Sequence, residues 1–168
     1  MAKGTDFPKT NAMRRLDSAK IRYEVKTYVV DENDLSGIHI ADQIGIPYEQ
    51  CFKTLVASGD KTGPLVFCIP VKEEIDMKRA ASITGNKKIE MIHVKDLLAL
   101  TGYIRGGVSP IGMKKKFPTF IDESCLTFEE ITVSSGARGA QLLLRVDALL
   151  AFTDAKPASF TVNPNKIR

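Results

Sequence analysis

The chain has 168 residues and a net charge of +4, with 43% hydrophobic and 26% charged residues. Its length suits one domain with a real core and excludes two domains of ordinary size, so we expect a single domain over residues 1–168 with flexible tails at 1–7 and 163–168. Since no apolar run approaches the roughly 20 residues of a membrane span and the first residues lack a signal peptide's apolar segment, we expect a soluble, cytoplasmic protein that does not bind membranes.

The three cysteines, Cys51, Cys68 and Cys125, exclude two further classes of protein. Their number is odd and no two form a CxxC pair, which argues against a disulfide framework and against a structural zinc site. We therefore expect reduced thiols, with Cys68 buried as a small hydrophobic residue. The mildly basic charge is compatible with a nucleic-acid partner without requiring one.

Hydrophobic periodicity, capping residues and glycines predict helices and strands in mixed order. In the first half these are a helix after Thr10, a strand over 23–30, a helix over 36–43, strands over 52–57 and 64–69 joined by a hairpin loop, and a helix from Asp76 to Gly85. In the second half they are a strand over 88–91, a helix from Val94 that stops at Gly102, strands over 119–122, 126–134 and 141–145, and a helix over 146–152. The mixture favours an α/β or α+β fold around a mostly antiparallel or mixed sheet, with the apolar strand 64–69 at its centre.

Three segments have residues that suit a binding or catalytic site. One is Lys53, at the start of an apolar strand, and the others are the Gly-rich loops at 106–110 and 134–139. Such loops let a ligand approach the main chain and expose N–H groups that bind phosphate or an oxyanion. A purely structural interpretation stands beside this one, because lysines at strand ends often point to solvent and Gly-rich loops often form tight turns.

Several common catalytic signals are missing from the sequence. His39 and His93 are the two histidines, and neither belongs to an HxxxH or HxE pattern, so we expect no metal and no cofactor. There is no GxSxG motif and no P-loop. The basic run Lys114–Lys116 suits a phosphate backbone and equally suits a solvated loop.

Five segments, in their order and spacing, resemble the YbaK family of aminoacyl-tRNA deacylases. Residues 101–112, Thr-Gly-Tyr-Ile-Arg-Gly-Gly-Val-Ser-Pro-Ile-Gly, are similar to that family's TGY-x-x-GG-x-SP-x-G segment. Residues 52–55, 87–91 and 133–139 resemble its FKTL, KKVEM and VSGGKRG motifs, and Thr27–Tyr28 falls where the family ends its first strand. The resemblance covers roughly residues 10–154. It implies a mixed, partly closed six- to seven-stranded barrel-like sheet surrounded by helices.

The resemblance also implies an activity. Family members hydrolyse the ester between a wrong amino acid and tRNA, and the bacterial proteins that this chain resembles act in trans on Cys-tRNA-Pro, often alongside prolyl-tRNA synthetase. Editing is needed because a synthetase pocket separates similar small side chains by ~1–3 kcal/mol. An aminoacyl ester is already activated, so positioning and oxyanion stabilisation suffice. The substrate's own thiol is implied as the nucleophile, which releases a thiolactone and leaves the protein's cysteines as bystanders.

Site residues are implied by the same resemblance. Lys53, Gly106 and Gly107 are the implied catalytic residues: Lys53 holds the 3′-terminal phosphate or the aminoacyl end, and the glycines present main-chain N–H groups to the substrate carbonyl. The implied substrate-binding residues are Tyr28, Ser109, Pro110, Ser134, Gly136 and Arg138.

The sequence departs from the family pattern at four positions, Lys26, Ser135, Ala137 and Gln141. These departures leave the amino acid open. Removal of cysteine from mischarged tRNA-Pro is the favoured function, and the alternative is a deacylase for Ala-tRNA-Pro or Ser-tRNA-Ala. A third hypothesis is a non-catalytic module that binds tRNA or a synthetase; the presence of Lys53 and of the Gly-Gly loop argues against it.

Overall fold

The computed structural model describes residues 7–163. The tail segments 1–6 and 164–168 lie outside the described residues, and Phe7 packs against the hydrophobic core. The helices are α1 (Asn11–Ser18), α2 (Gly37–Ile44), α3 (Met77–Thr84), α4 (Val94–Thr101) and α5 (Val146–Thr153). The strands are β1 (Tyr23–Thr27), β2 (Phe52–Gly59), β3 (Gly63–Pro70), β4 (Glu74–Ile75), β5 (Ile89–Met91), β6 (Thr119–Asp122), β7 (Glu130–Ser134), β8 (Ala140–Arg145), β9 (Lys156–Ala158) and β10 (Thr161–Val162).

Local capping explains where the first three helices begin. The side chains of Thr10, Ser36 and Asp76 each accept a hydrogen bond from a main-chain N–H in the first turn of the helix that follows. These bonds satisfy donors that a helix start leaves free. Helices α2, α3 and α4 end at glycines with left-handed backbone, Gly45, Gly85 and Gly102. The predicted helices are thus confirmed to within about two residues.

The largest sheet has five strands in the order β5-β2-β3-β6-β9. Strands β2 and β3 form the predicted antiparallel hairpin, whereas β6 runs parallel to β3 and β9 runs parallel to β6. Along β3, Val66 and Cys68 pack into one hydrophobic cluster while Leu65, Phe67 and Ile69 pack into another. Successive side chains of a strand point to opposite faces, so both faces of β3 are covered, as its apolar sequence predicts.

The barrel-like sheet implied by the resemblance is not confirmed. The other strands form a three-stranded antiparallel sheet, β1-β8-β7, and a two-stranded pair, β10-β4. The three-stranded sheet meets β2 through the bridge between Cys51 and Thr132. Strand β5 pairs with the other end of β2, at residues 57–59. The intervening stretch of β2, from Phe52 to Leu55, therefore lies where the two sheets diverge, and it borders a cavity.

Some predicted boundaries are wrong. The strand expected over 126–134 begins at Glu130, because residues Glu123–Thr127 form a 3-10 helix whose first turn is capped by the Asp122 carboxylate. The first strand stops at Thr27 rather than at residue 30. Among residues 7–163, no helix is long and apolar enough to cross a bilayer.

Candidate active site

A cavity of about 520 Å³ opens where the two larger sheets diverge. Its walls are the start of β2, the first turn of α2, the Gly-rich loop after α4, the facing ends of β7 and β8, and the segment from β5 to α4. This volume is in the range of pockets that take a small molecule. Three of the residues predicted for the site line it, namely Lys53, Gly106 and Ser134.

Lys53 is the half-buried cation of this cavity. Its side chain leaves β2, and the Nζ atom donates a hydrogen bond of 3.2 Å to the main-chain oxygen of Val71. Burial lowers the pKa of Lys53, and the negative charges of Glu74 and Glu73 oppose that shift. A partly desolvated ammonium group gains more from an incoming anion than a solvated one does. Lys53 is therefore placed to hold a phosphate or a developing oxyanion.

The two Gly-rich loops touch each other beside the cavity. A Cβ atom on Gly107 would lie 3.1 Å from the carbonyl carbon of Ala137, so glycine permits this approach of main chain to main chain. The Gly107 N–H donates to the oxygen of Ile104 at 2.9 Å, which engages it within its own turn. This differs from the expectation that both glycines offer N–H groups to the substrate. Gly106, with φ +86°, lines the cavity.

The second Gly-rich loop is built tightly on its neighbours. The Oγ atom of Ser134 accepts a hydrogen bond from the Gly136 N–H at 3.2 Å. Gly136 has φ +93°, and a Cβ atom there would lie 2.8 Å from the ring of Tyr103. Arg138 Nε donates to the main-chain oxygen of Arg105 at 2.8 Å, which ties the two loops together. Gly136 and Arg138 thus shape the wall that Ser134 and Gly106 form.

The remaining predicted residues lie outside this lining. Ser109 is fully buried, and its Oγ accepts the N–H of Ile111 at 3.2 Å. Pro110 borders a second cavity of about 280 Å³. Tyr28 is half-buried; its N–H donates to the oxygen of Gly139 at 2.9 Å, and burial raises its pKa. Direct substrate contacts by these three residues stay predictions.

Arg105 and Gln141 were not among the predicted site residues, and both line the cavity. Arg105 adds a second, exposed cation directly before the Gly-Gly pair. Gln141 faces the cavity from β8, opposite Ser134 of β7. Arg105 lies within the motif at 101–112, and Gln141 follows the second Gly-rich loop by two residues. Their positions in or near the motifs indicated that both residues could lie close to the site. Only the structure shows that they line the cavity.

The ionisable groups of the cavity restrict its chemistry. Besides Lys53 and Arg105 it contains the Cys51 thiol, whose pKa burial raises, so the thiol is a weak nucleophile. Within residues 7–163, no carboxylate and no imidazole belongs to the lining, and no group of three or more His, Cys, Asp or Glu is arranged to hold a metal ion. The arrangement suits binding of an anionic, activated ester, because cations can stabilise an oxyanion without a nucleophile from the protein.

The mixed fold and this cavity suit a domain that binds an activated ester. The chain belongs to the family of the aminoacyl-tRNA editing domain, whose model matches residues 38–152. Family membership confirms the resemblance and the predicted class of enzyme, one that edits aminoacyl-tRNA.

One named protein and two solved structures are similar to this chain over most of its length. A protein of Enterococcus faecalis (strain ATCC 700802 / V583), named "Putative Cys-tRNA(Pro)/Cys-tRNA(Cys) deacylase EbsC", is 47% identical over 161 residues, which cover 96% of this chain and 98% of that protein. A structure described as "Crystal structure of a putative trans-editing enzyme for prolyl tRNA synthetase" is 24% identical, with a TM-score of 0.76 over 90% of this chain and 97% of that one. A scaffold protein from epitope backbone grafting by computational design is 25% identical, with a TM-score of 0.81 over 90% and 95% of the two chains.

Proposed function

We propose that this chain removes cysteine from mischarged Cys-tRNA-Pro in trans. The 47% identical relative carries the name of a deacylase for cysteinyl-tRNA. The observation that carries the proposal is the set of ionisable groups in the cavity: Lys53 and Arg105 are cations, and no described lining residue is a carboxylate or an imidazole. Such a site is suited to a substrate that brings its own nucleophile, and a cysteinyl ester does so.

The proposed reaction takes place within the substrate. The sulfur of the cysteinyl group attacks the ester carbonyl carbon, and the bond from that carbon to the 3′-oxygen of the terminal ribose breaks. The thiol proton ends on the ribose oxygen, so the products are tRNA with a free 3′-hydroxyl and a thiolactone, which water then opens. Lys53 stabilises the negative charge that develops on the carbonyl oxygen, and the cavity holds the sulfur against the carbonyl carbon.

Other parts of the surface suit the rest of the tRNA. Exposed apolar side chains at the mouth of the cavity, Ile38, Met91 and Val94, suit contact with the terminal adenine. The second cavity carries exposed cations, Arg15 and Lys114–Lys116, that suit phosphates of the acceptor end.

We also propose a protein partner, prolyl-tRNA synthetase. The description of the trans-editing enzyme of similar fold names that synthetase. The proposed place of action is the cytoplasm, where charged tRNA is used.

Single-turnover deacylation tests the proposal. Cys-tRNA-Pro, Ala-tRNA-Pro and Pro-tRNA-Pro are incubated with the wild-type protein and with Lys53→Ala, which controls for contaminating esterases. Fast loss of cysteine that depends on Lys53, with alanine and proline retained, is the expected result. Loss of alanine instead would show a deacylase of the same family with a different amino-acid specificity. Stoichiometric tRNA binding without turnover would indicate a non-catalytic binding module.

A further inference from the structure

The polar side chains of the cavity differ in whether they already have a hydrogen-bond partner within the protein. Three hydroxyl groups line it, and each has a partner within the protein. Ser36 Oγ accepts the N–H of His39 at 3.3 Å, Ser134 Oγ accepts the N–H of Gly136 at 3.2 Å, and Thr54 Oγ1 lies 3.8 Å from the sulfur of Cys68.

Gln141 is the exception among these side chains. Its residue is 5% exposed, and its Oε1 atom is buried without a hydrogen-bond partner among the described residues. The side chain cannot easily turn away, because β8 is the central strand of its sheet and Gln141 lies between Lys26 of β1 and Ser134 of β7. A buried amide oxygen without a partner destabilises the empty protein. In a ligand cavity, such a group is available to accept a hydrogen bond from a bound ligand.

The charges of the cavity indicate which ligand group Gln141 meets. Lys53 and Arg105 attract the phosphate and the ester carbonyl, and they repel an ammonium group. No lining carboxylate among residues 7–163 is available to neutralise an amino group. A neutral amide oxygen accepts hydrogen bonds from an amine without forming an ion pair with Lys53. The α-amino group of the aminoacyl ester is the hydrogen-bond donor that fits.

We propose that Gln141 accepts a hydrogen bond from the α-amino group of the bound aminoacyl ester and thereby orients the ester carbonyl toward Lys53. The inference rests on the proposed function, because it takes the ligand to be an aminoacyl end of tRNA. Gln141 would then recognise the α-amino group, which different amino acids have in common. Selection for cysteine then lies elsewhere, in the fit of the sulfur against the carbonyl carbon.

Binding of stable analogues tests this without any turnover. The probes are two 3′-amides of 3′-amino-3′-deoxyadenosine, one carrying cysteine and the other carrying 3-mercaptopropionate, which keeps the thiol and lacks the α-amino group. The variant is Gln141→Met, because methionine is unbranched, of similar length and apolar. Calorimetric Kd values are measured for both proteins with both probes.

The wild type is expected to bind the cysteinyl amide about tenfold to a hundredfold more tightly than the mercaptopropionyl amide, the effect of one hydrogen bond to a charged or polar amine. Gln141→Met should lose that preference and bind the mercaptopropionyl amide within about threefold of wild type. Its melting temperature without ligand should be equal to or above that of wild type, since it removes a buried amide oxygen that has no partner.

Equal wild-type affinities for the two amides would overturn the inference, and this result needs no variant. An equal loss with both probes in Gln141→Met would overturn it as well, because it would assign Gln141 a packing role. Failure of the proposed function gives a different pattern: the cysteinyl amide binds with the Gln141-dependent preference, while Cys-tRNA-Pro is not cleaved.

Discussion

Two neighbouring cavities share one loop and differ in how they hold positive charge. In the first, Gly106 and Val108 of the loop face a partly desolvated Lys53. In the second, Pro110 and the residues after it lie beside cations that are all exposed, Arg15 and Lys114–Lys116. Desolvation strengthens an electrostatic contact at one defined point, whereas exposed charges attract a phosphate backbone over many geometries and are screened by salt. We therefore expect the reaction to take place in the first cavity and the second to contribute general affinity for tRNA.

Removing one cation from each cavity should separate the two roles most strongly. Lys53→Met is expected to reduce the single-turnover rate with Cys-tRNA-Pro by about a hundredfold to a thousandfold, the usual effect of losing one group that stabilises an oxyanion. Its matched control, Lys114→Met, should change that rate by less than about threefold, because an exposed cation stabilises the bound phosphate equally before and during the reaction.

Both variants should fold. The free energy of unfolding of Lys53→Met is expected within about 1 kcal/mol of wild type, since the loss of the hydrogen bond to Val71 is offset by removal of a poorly solvated charge. Equal activity losses in the two variants would contradict the division between the cavities.

The wall of the first cavity should depend on glycine at position 136. Gly136→Ala is expected to lower the free energy of unfolding by about 2–4 kcal/mol, because the added Cβ meets the Tyr103 ring and the backbone has positive φ. Gly45→Ala is the matched control: its φ of +70° is similar and nothing lies within 4 Å, so a loss of about 1 kcal/mol is expected. Urea denaturation measures both values. Equal losses would show that contact with Tyr103 does not hold the loop.

Salt dependence should report on the second cavity. Replacing Lys115 by glutamine is expected to reduce the slope of log affinity for tRNA against log salt by about one unit and to weaken all tRNA species alike. Lys116 is a natural comparison, because it is paired with Asp154 and should change the slope less when replaced by glutamine. Nitrocellulose binding at several salt concentrations measures both. An unchanged slope in Lys115→Gln would show that this cavity does not bind tRNA phosphates.

The smallest expected effect concerns pH. Burial lowers the pKa of Lys53 in the folded protein, so between that value and the ordinary value of 10.5 the unfolded chain binds more protons than the folded one at this residue. Lys53 therefore makes the free energy of unfolding rise with pH in that interval. The stability of wild type relative to Lys53→Met should increase as pH is raised toward 10.5. A difference that stays constant or decreases would contradict the desolvation of Lys53.

Local signals in the sequence predicted the helices and the hairpin well. Capping by Thr10, Ser36 and Asp76 depends on residues three positions apart, which a linear sequence displays directly. The short strands β4, β9 and β10 escaped prediction because their pairing is non-local, as between Thr161 and Ile75. Two or three residues carry too little periodicity to indicate a strand.

Part of the candidate site was also expected from the sequence. Motif resemblance implied that Lys53, Gly106 and Ser134 contact one substrate, and all three line one cavity although they come from distant parts of the sequence. It did not predict that the Gly107 N–H is engaged by Ile104. It also gave no role to Gln141, whose importance depends on a missing partner for Oε1. Hydrogen-bond partners of single atoms arise from tertiary contacts, and no sequence motif records them.

In the proposed reaction the substrate's thiol, and no group of the protein, attacks the ester. The direct test compares single-turnover cleavage of Cys-tRNA-Pro with that of S-methylcysteinyl-tRNA-Pro and Ser-tRNA-Pro by the wild-type protein. We expect rapid cleavage of the cysteinyl ester and rates at the spontaneous level for the other two. Enzyme-dependent cleavage of the S-methylated ester at a comparable rate would contradict it, because that substrate has no free thiol and would require attack by water or by the protein.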